Sequence, residues 1–158
     1  MNAYKKLLKN SGVFAIANLG SKLISIILVP FYTYVLSTKE YGTIDIIMTN
    51  ISLVLPMITL SIFDAALRFT VKSEYEKSNI FTSSTVVVML GNVVFLLAYP
   101  FVSRIKILDG YVYLFYIVLF FQALNSVFSQ FARGIGKVKV FATSGVVNTF
   151  ITLILNIL

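Results

Sequence analysis

Lys22 is the residue in this chain best placed to do chemistry, because it is a lone cation inside a run, Ser11 to Leu36, that carries no other charge. In a helix that starts after Asn10 and rises about 1.5 Å per residue, it lies about 18 Å along the axis, near the centre of a hydrocarbon layer about 30 Å thick. A lysine at that depth costs about 2.5 to 3.5 kcal/mol on insertion scales, so it belongs in a protein interior or a water-lined cavity. Asn18 stands one turn before it and Ser25 one turn after, which gives the helix a polar face. A buried cation framed by amides and hydroxyls suits an anionic ligand.

Counting the same depth along the other apolar runs brings Leu55 and Pro56, Gly91 and Asn92, Gln122 to Asn125, and Asn148 level with Lys22. None of these is acidic. The expected surroundings of Lys22 are therefore amides, from Asn18, Asn50, Asn92, Gln122 and Asn148, and its other possible partner is a carboxylate on another subunit or segment. Ala17, Ser21 and Ser25 repeat at four-residue spacing, a pattern that reads first as helix packing. Further along, Asn50, Met57, Ser61, Asp64 and Arg68 fall within roughly 40° of one direction at 100° per residue. Asp64 and Arg68 form an i, i+4 pair, either a salt bridge worth a few tenths of a kcal/mol or part of a gate. Pro56, in the middle of that run, removes one helical hydrogen bond and predicts a kink.

The chain contains no Cys, His or Trp. That excludes a disulfide framework, a zinc centre, haem held by His and any catalytic triad built on those side chains. The apolar runs leave no loop long enough for an active site with paired carboxylates. No enzyme activity, cofactor or metal is expected. Gly134 and Gly136 make only a short G-x-G after Arg133, read as a tight turn rather than a phosphate cradle.

The elements that hold these residues follow from composition. Of 158 residues 58% are apolar and 12% charged, about half the charge of an ordinary soluble domain. Five runs have few or no charges, and each is long enough to cross a bilayer: 11–36, 41–66, 79–103, 111–132 and 140–158. They do not alternate in period two as barrel strands would, so the expected fold is all-α, a polytopic bundle of five transmembrane helices. The first run follows Lys5, Lys6 and Lys9 but is too long for a signal-peptide core and lacks a small-residue cleavage site.

The formal charge of +7 is a topology signal. Nine of the 13 basic residues gather at three alternating places: Lys5, Lys6 and Lys9; Arg68, Lys72 and Lys77; Arg133, Lys137 and Lys139. The positive-inside rule puts these segments and the N-terminus in the cytoplasm, and Tyr32, Tyr34, Tyr41, Tyr99, Tyr111 and Tyr113 then form an outer aromatic belt. Charges dispersed between apolar spans do not make a nucleic-acid surface.

Three stretches together resemble a known family. They are Pro30-Phe-Tyr-Thr-Tyr-Val-Leu-Ser-Thr-Lys-Glu-Tyr-Gly42, Asp64-Ala-Ala-Leu-Arg-Phe69, and Phe131-Ala-Arg-Gly-Ile-Gly-Lys-Val-Lys139. In order and spacing they are similar to the polysaccharide-export, lipid-linked oligosaccharide flippases of the multidrug, oligosaccharidyl-lipid and polysaccharide exporter superfamily. The resemblance implies two six-helix lobes around a central cavity, alternating access, and a polyprenyl-pyrophosphate-linked sugar moved across the bacterial cytoplasmic membrane. It also implies a cation in the first helix facing the cavity, a position that Lys22 matches. Lys22, Asn18, Asn50 and Ser25 are then the candidate substrate-binding residues, and Asp64 and Arg68 the candidate gate or salt bridge. The partners implied are the lipid-linked oligosaccharide, membrane lipids, a polysaccharide polymerase and glycosyltransferases.

Family members have twelve or fourteen helices, so five spans correspond to an incomplete N-terminal lobe, and the expectation is a piece that does not transport by itself. Two alternatives stay open: a drug or cation exporter of the same superfamily, which would need carboxylates at mid-depth, and a noncatalytic scaffold in envelope polysaccharide assembly.

The absence of native cysteine makes the topology directly measurable. Cysteines placed at Ser73 and Gly136 are expected to react only with membrane-permeant reagents, and one at Ser37 with impermeant ones. Labelling of Ser73→Cys from outside overturns the orientation.

Overall fold

The computed structural model describes residues 12, 15, 19, 22, 23, 26, 29–72, 74–137, 139–141 and 143–145. The chain divides into two compact units, Met1–Thr38 with Gly136–Leu158, and Lys39–Ile135. In the first unit, residues 12, 15, 19, 22, 23, 26 and 29–35 are helical, as are 139–141 and 143–145. Much of the runs predicted at 11–36 and 140–158 lies outside the described residues.

The second unit is all-helical among its described residues. Helix α1 spans Thr38–Thr59, α2 Ile62–Val71, α3 Lys77–Leu97, α4 Tyr99–Val102 and α5 Val112–Gly134, with a 3-10 turn at Lys106–Leu108 before α5. Helices α1, α3 and α5 are long and apolar enough to cross a membrane. Their 22, 21 and 23 residues make rods of about 32 to 35 Å, against a hydrocarbon layer of about 30 Å. These three candidate spans are what a membrane protein requires.

Two of the predicted runs agree closely with helices: 111–132 with α5, and 79–103 with α3 followed by α4. The run predicted at 41–66 is broken. Leu60 and Ser61 both take left-handed backbone conformations, with φ of 50° and 51°, and α2 begins three residues after the last residue of α1. The Ser61 N–H donates to the Pro56 carbonyl at 3.1 Å and the Leu60 N–H to that of Met57 at 3.4 Å. This is the paired bonding of a Schellman terminus, with leucine at the position glycine usually holds. It satisfies two of the four carbonyls that a helix end leaves open. Pro56 remains within α1, so the interruption comes four residues after the proline rather than at it.

Ile51 packs in one core cluster with Val102, Leu108, Val112, Phe115 and Leu119, while Thr70 lies beside Gly134. The stretch from Ile51 to Thr70 therefore runs alongside α5 from its first turns to its last, and the break falls near the middle of that length. A second core cluster sits at the break: Val88, Ala123 and Val127, with Leu55, Ile62, Phe63 and Leu124 packed on it.

Two glycines allow this packing. A Cβ on Gly91 would occupy the place of the Ile58 carbonyl oxygen, one of the carbonyls left open where α1 ends, and a Cβ on Gly134 would lie 2.6 Å from the Thr70 Cβ. Small residues at such crossings let helix backbones approach closely.

Aromatic side chains fasten α3 to α5 at both ends. Phe81 meets Phe128 and Phe131 with ring centroids 5.5 and 4.8 Å apart. At the opposite end Phe95 meets Tyr116 at 5.2 Å, and Tyr99 meets Tyr113 and Tyr116 at 6.3 and 6.0 Å. The Tyr116 hydroxyl also donates to the Phe95 carbonyl at 3.2 Å, serving the C-terminal turn of α3.

If Gly91 and Gly134 set the helix spacing, Gly91→Ala and Gly134→Ala should each lose about 1 to 3 kcal/mol of stability through overpacking. Thermal unfolding of the full chain in detergent measures this. Gly42→Ala, where a Cβ meets nothing within 4 Å, should stay within about 0.5 kcal/mol of the parent. A Gly91→Ala protein as stable as the parent contradicts the close α1–α3 crossing.

Candidate functional site

The candidate residues fall in both units. In the first, Lys22 is helical and its side chain is exposed, as are those of the helical residues Leu19, Leu23 and Ile26. Among the described residues Lys22 meets no carboxylate. Asn18 and Ser25, expected beside it, lie outside the described residues, as does Asn148.

In the second unit, Asn50 is exposed on α1, and its amide nitrogen donates to the Ile46 carbonyl at 2.8 Å. Asn92, expected from sequence among the amides around Lys22, is buried in α3 and donates in the same way to Val88 at 2.8 Å. Both amides thus satisfy a donor on their own helix, which keeps the accepting carbonyl within the segment. Hydroxyls do likewise: Ser52 donates to Met48 at 2.9 Å, Thr59 to Leu55 at 2.7 Å, Thr85 to Phe81 at 2.8 Å and Ser126 to Gln122 at 2.8 Å. In a low-dielectric surround this local bonding removes the penalty of carrying a polar group without requiring a partner helix. No buried side-chain nitrogen or oxygen among the described residues is left without a partner.

Asp64 and Arg68 sit at opposite ends of the ten-residue helix α2. Asp64 is in the first turn and Arg68 in the last, so each complements the helix dipole where it stands. The Asp64 carboxylate takes its hydrogen bond from Gln130 on α5, with Nε2 to Oδ1 at 3.4 Å. Gln130 in turn accepts from Arg133 Nη1 at 2.9 Å. A polar chain Asp64–Gln130–Arg133 therefore ties α2 to α5.

Gln130 was not singled out from the sequence, yet the signal was present. The inward stripe of α5 runs Val112, Phe115, Leu119, Ala123, Val127, and its next steps are Gln130 and Gly134. A glutamine continuing a stripe of buried apolar residues is positioned to face another helix.

Most basic residues of this unit lie near helix ends, with Lys39 at the start of α1. Arg68, Lys72, Lys77 and Arg133 belong to the termini of α2, α3 and α5 that meet at the Thr70–Gly134 contact, whereas Arg104 and Lys106 lie in the connection at the other end of α3 and α5. No cluster of three Asp or Glu able to hold a metal occurs among the described residues. The arrangement can position and shield charge.

Comparison with protein families, with curated proteins and with solved structures finds no match in any of the three.

Proposed function

We propose that the chain contributes the first-lobe helices of a membrane flippase that moves a lipid-linked oligosaccharide by alternating access. The observation that carries a transport reading is the helix interruption at Leu60–Ser61, midway along the three-helix pack. Discontinuous helices at mid-depth are a recurring device of transporters, because irregular backbone is tolerated within hydrocarbon only where protein or a cavity covers it.

The substrate class rests on the resemblance in sequence and on Lys22. A cation in an apolar helix, with no carboxylate beside it among the described residues, suits the pyrophosphate of a polyprenyl-linked sugar. Charge neutralisation there lowers the cost of carrying the headgroup past the acyl chains, while the lipid tail stays in the bilayer. Asn18, Ser25 and Asn50 are the proposed polar contacts to the headgroup. In this reading the Asp64–Gln130–Arg133 chain, with Arg68 nearby on α2, lies at the cytoplasmic entrance. The membrane is the bacterial cytoplasmic one, with the N-terminus inside, and the polymerase and glycosyltransferases of the polysaccharide are its neighbours.

Export of surface polysaccharide in cells carrying the full-length protein tests the reading. Lys22→Ala should abolish export, with lipid-linked precursor accumulating and membrane insertion unchanged, whereas Lys22→Arg should keep part of it because pyrophosphate needs charge more than one donor geometry. Full export by the Lys22→Ala protein refutes the substrate role.

A further inference from the structure

We propose that Leu60–Ser61 is a hinge on which α2 undocks from α5, and that Gln130 is the centre of the latch that holds it docked. The inference concerns the conformational equilibrium of the fold and stands independently of the substrate reading.

The docked state carries an internal cost. Two successive non-glycine residues hold left-handed backbone, with φ of 50° and 51°. This region is unfavourable by about 1 to 2 kcal/mol per residue for side chains with a Cβ. Leu60 gains little packing in exchange, since it is 78% exposed. The Ser61 side chain makes no cap hydrogen bond to α2, so the new helix starts without the usual side-chain acceptor. The Schellman bonds use the Pro56 and Met57 carbonyls, and the Ile58 carbonyl is packed against Gly91. If both residues returned to right-handed helical backbone, α1 and α2 would join in one helix, the strain would vanish, and the carbonyls at the break would find amide partners one turn on.

What holds the break in place is contact of α2 with α5 and with α3, since Ile62 and Phe63 pack on the cluster of Val88, Ala123 and Val127. Ala66 and Thr70 are buried on α2, Thr70 fits against the bare backbone of Gly134, and Asp64 accepts from Gln130 while Gln130 accepts from Arg133. Each of these contacts is lost when α2 swings away. The element is therefore bistable: strain relief favours the continuous helix and docking favours the broken one. A difference of a few kcal/mol between two such states leaves the minor one measurably populated.

The ten residues of α2 form a rod of about 15 Å, so a swing of about 40° about the hinge moves its far end by about 10 Å. Spin labels on cysteines replacing Val71 on α2 and Phe121 on α5, both exposed, report that movement as a distance distribution in the full chain in lipid nanodiscs. We expect a short docked distance with a longer component. Gln130→Leu should raise the ratio of long to short by about threefold or more. Leu60→Gly, which relieves the left-handed strain of the docked state without touching α5, should lower that ratio by about fivefold, since about 1 kcal/mol corresponds to that factor. Leu60→Gly is the arm that remains informative if Gln130→Leu misfolds. A single short distance in the parent and in every variant identifies a static break and overturns the proposal. A long component that grows in Leu60→Gly overturns it as well, because strain would then not be what drives undocking.

Discussion

Inside hydrocarbon, a peptide N–H or C=O that is not bonded within the protein costs several kcal/mol, and this constraint accounts for most of what the structure does. It explains why the described residues of the second unit are helical. It also explains why so many polar side chains in the long helices turn back on their own backbone: Asn50, Ser52, Thr59, Thr85, Asn92 and Ser126 all donate to a carbonyl one turn earlier. The break inside the apolar run 41–66, at Leu60–Ser61, is dressed accordingly, with a Schellman pair for two carbonyls and a glycine backbone against a third.

How much of this the sequence disclosed depends on the kind of signal involved. Helix α5 was legible almost to the residue, because an uncharged run bounded by Tyr111 and Arg133 allows few alternatives. The separation of basic residues to the ends of the helices followed from their spacing. The break between α1 and α2 was not legible in its place. Pro56 announced a disturbance, but a leucine in left-handed backbone is opposed by its own local preference and is held by tertiary packing, which no local pattern encodes. A glycine at position 60 would have given the break away.

The candidate site shows the same division. Depth counting placed Leu55, Gly91 and Gln122 to Asn125 at one level, and within the second unit Leu55 does pack with Val88, Ala123 and Val127, while Gly91 meets Ile58. What counting could not supply was direction. Asn92 reads as a polar group available to a ligand, yet it is buried and bonded to Val88. Asp64 reads as the partner of Arg68, yet in the structure its hydrogen bond comes from another helix. The face a residue occupies follows from which helix packs where, so Gln130 emerges only once the inward stripe of α5 is known.

The aromatic contacts at the two ends of the α3–α5 pair have a mechanical meaning. Phe81 with Phe128 and Phe131 at one end, and Phe95 and Tyr99 with Tyr113 and Tyr116 at the other, fix two widely separated points along the seam. One such point would still let the helices pivot about it. Two points oppose both rotation and slippage, because a shift of either helix by a single residue would take both ring clusters out of register together. Pivoting and sliding along this seam are therefore resisted at two points, whereas an element attached to its side meets no such double restraint.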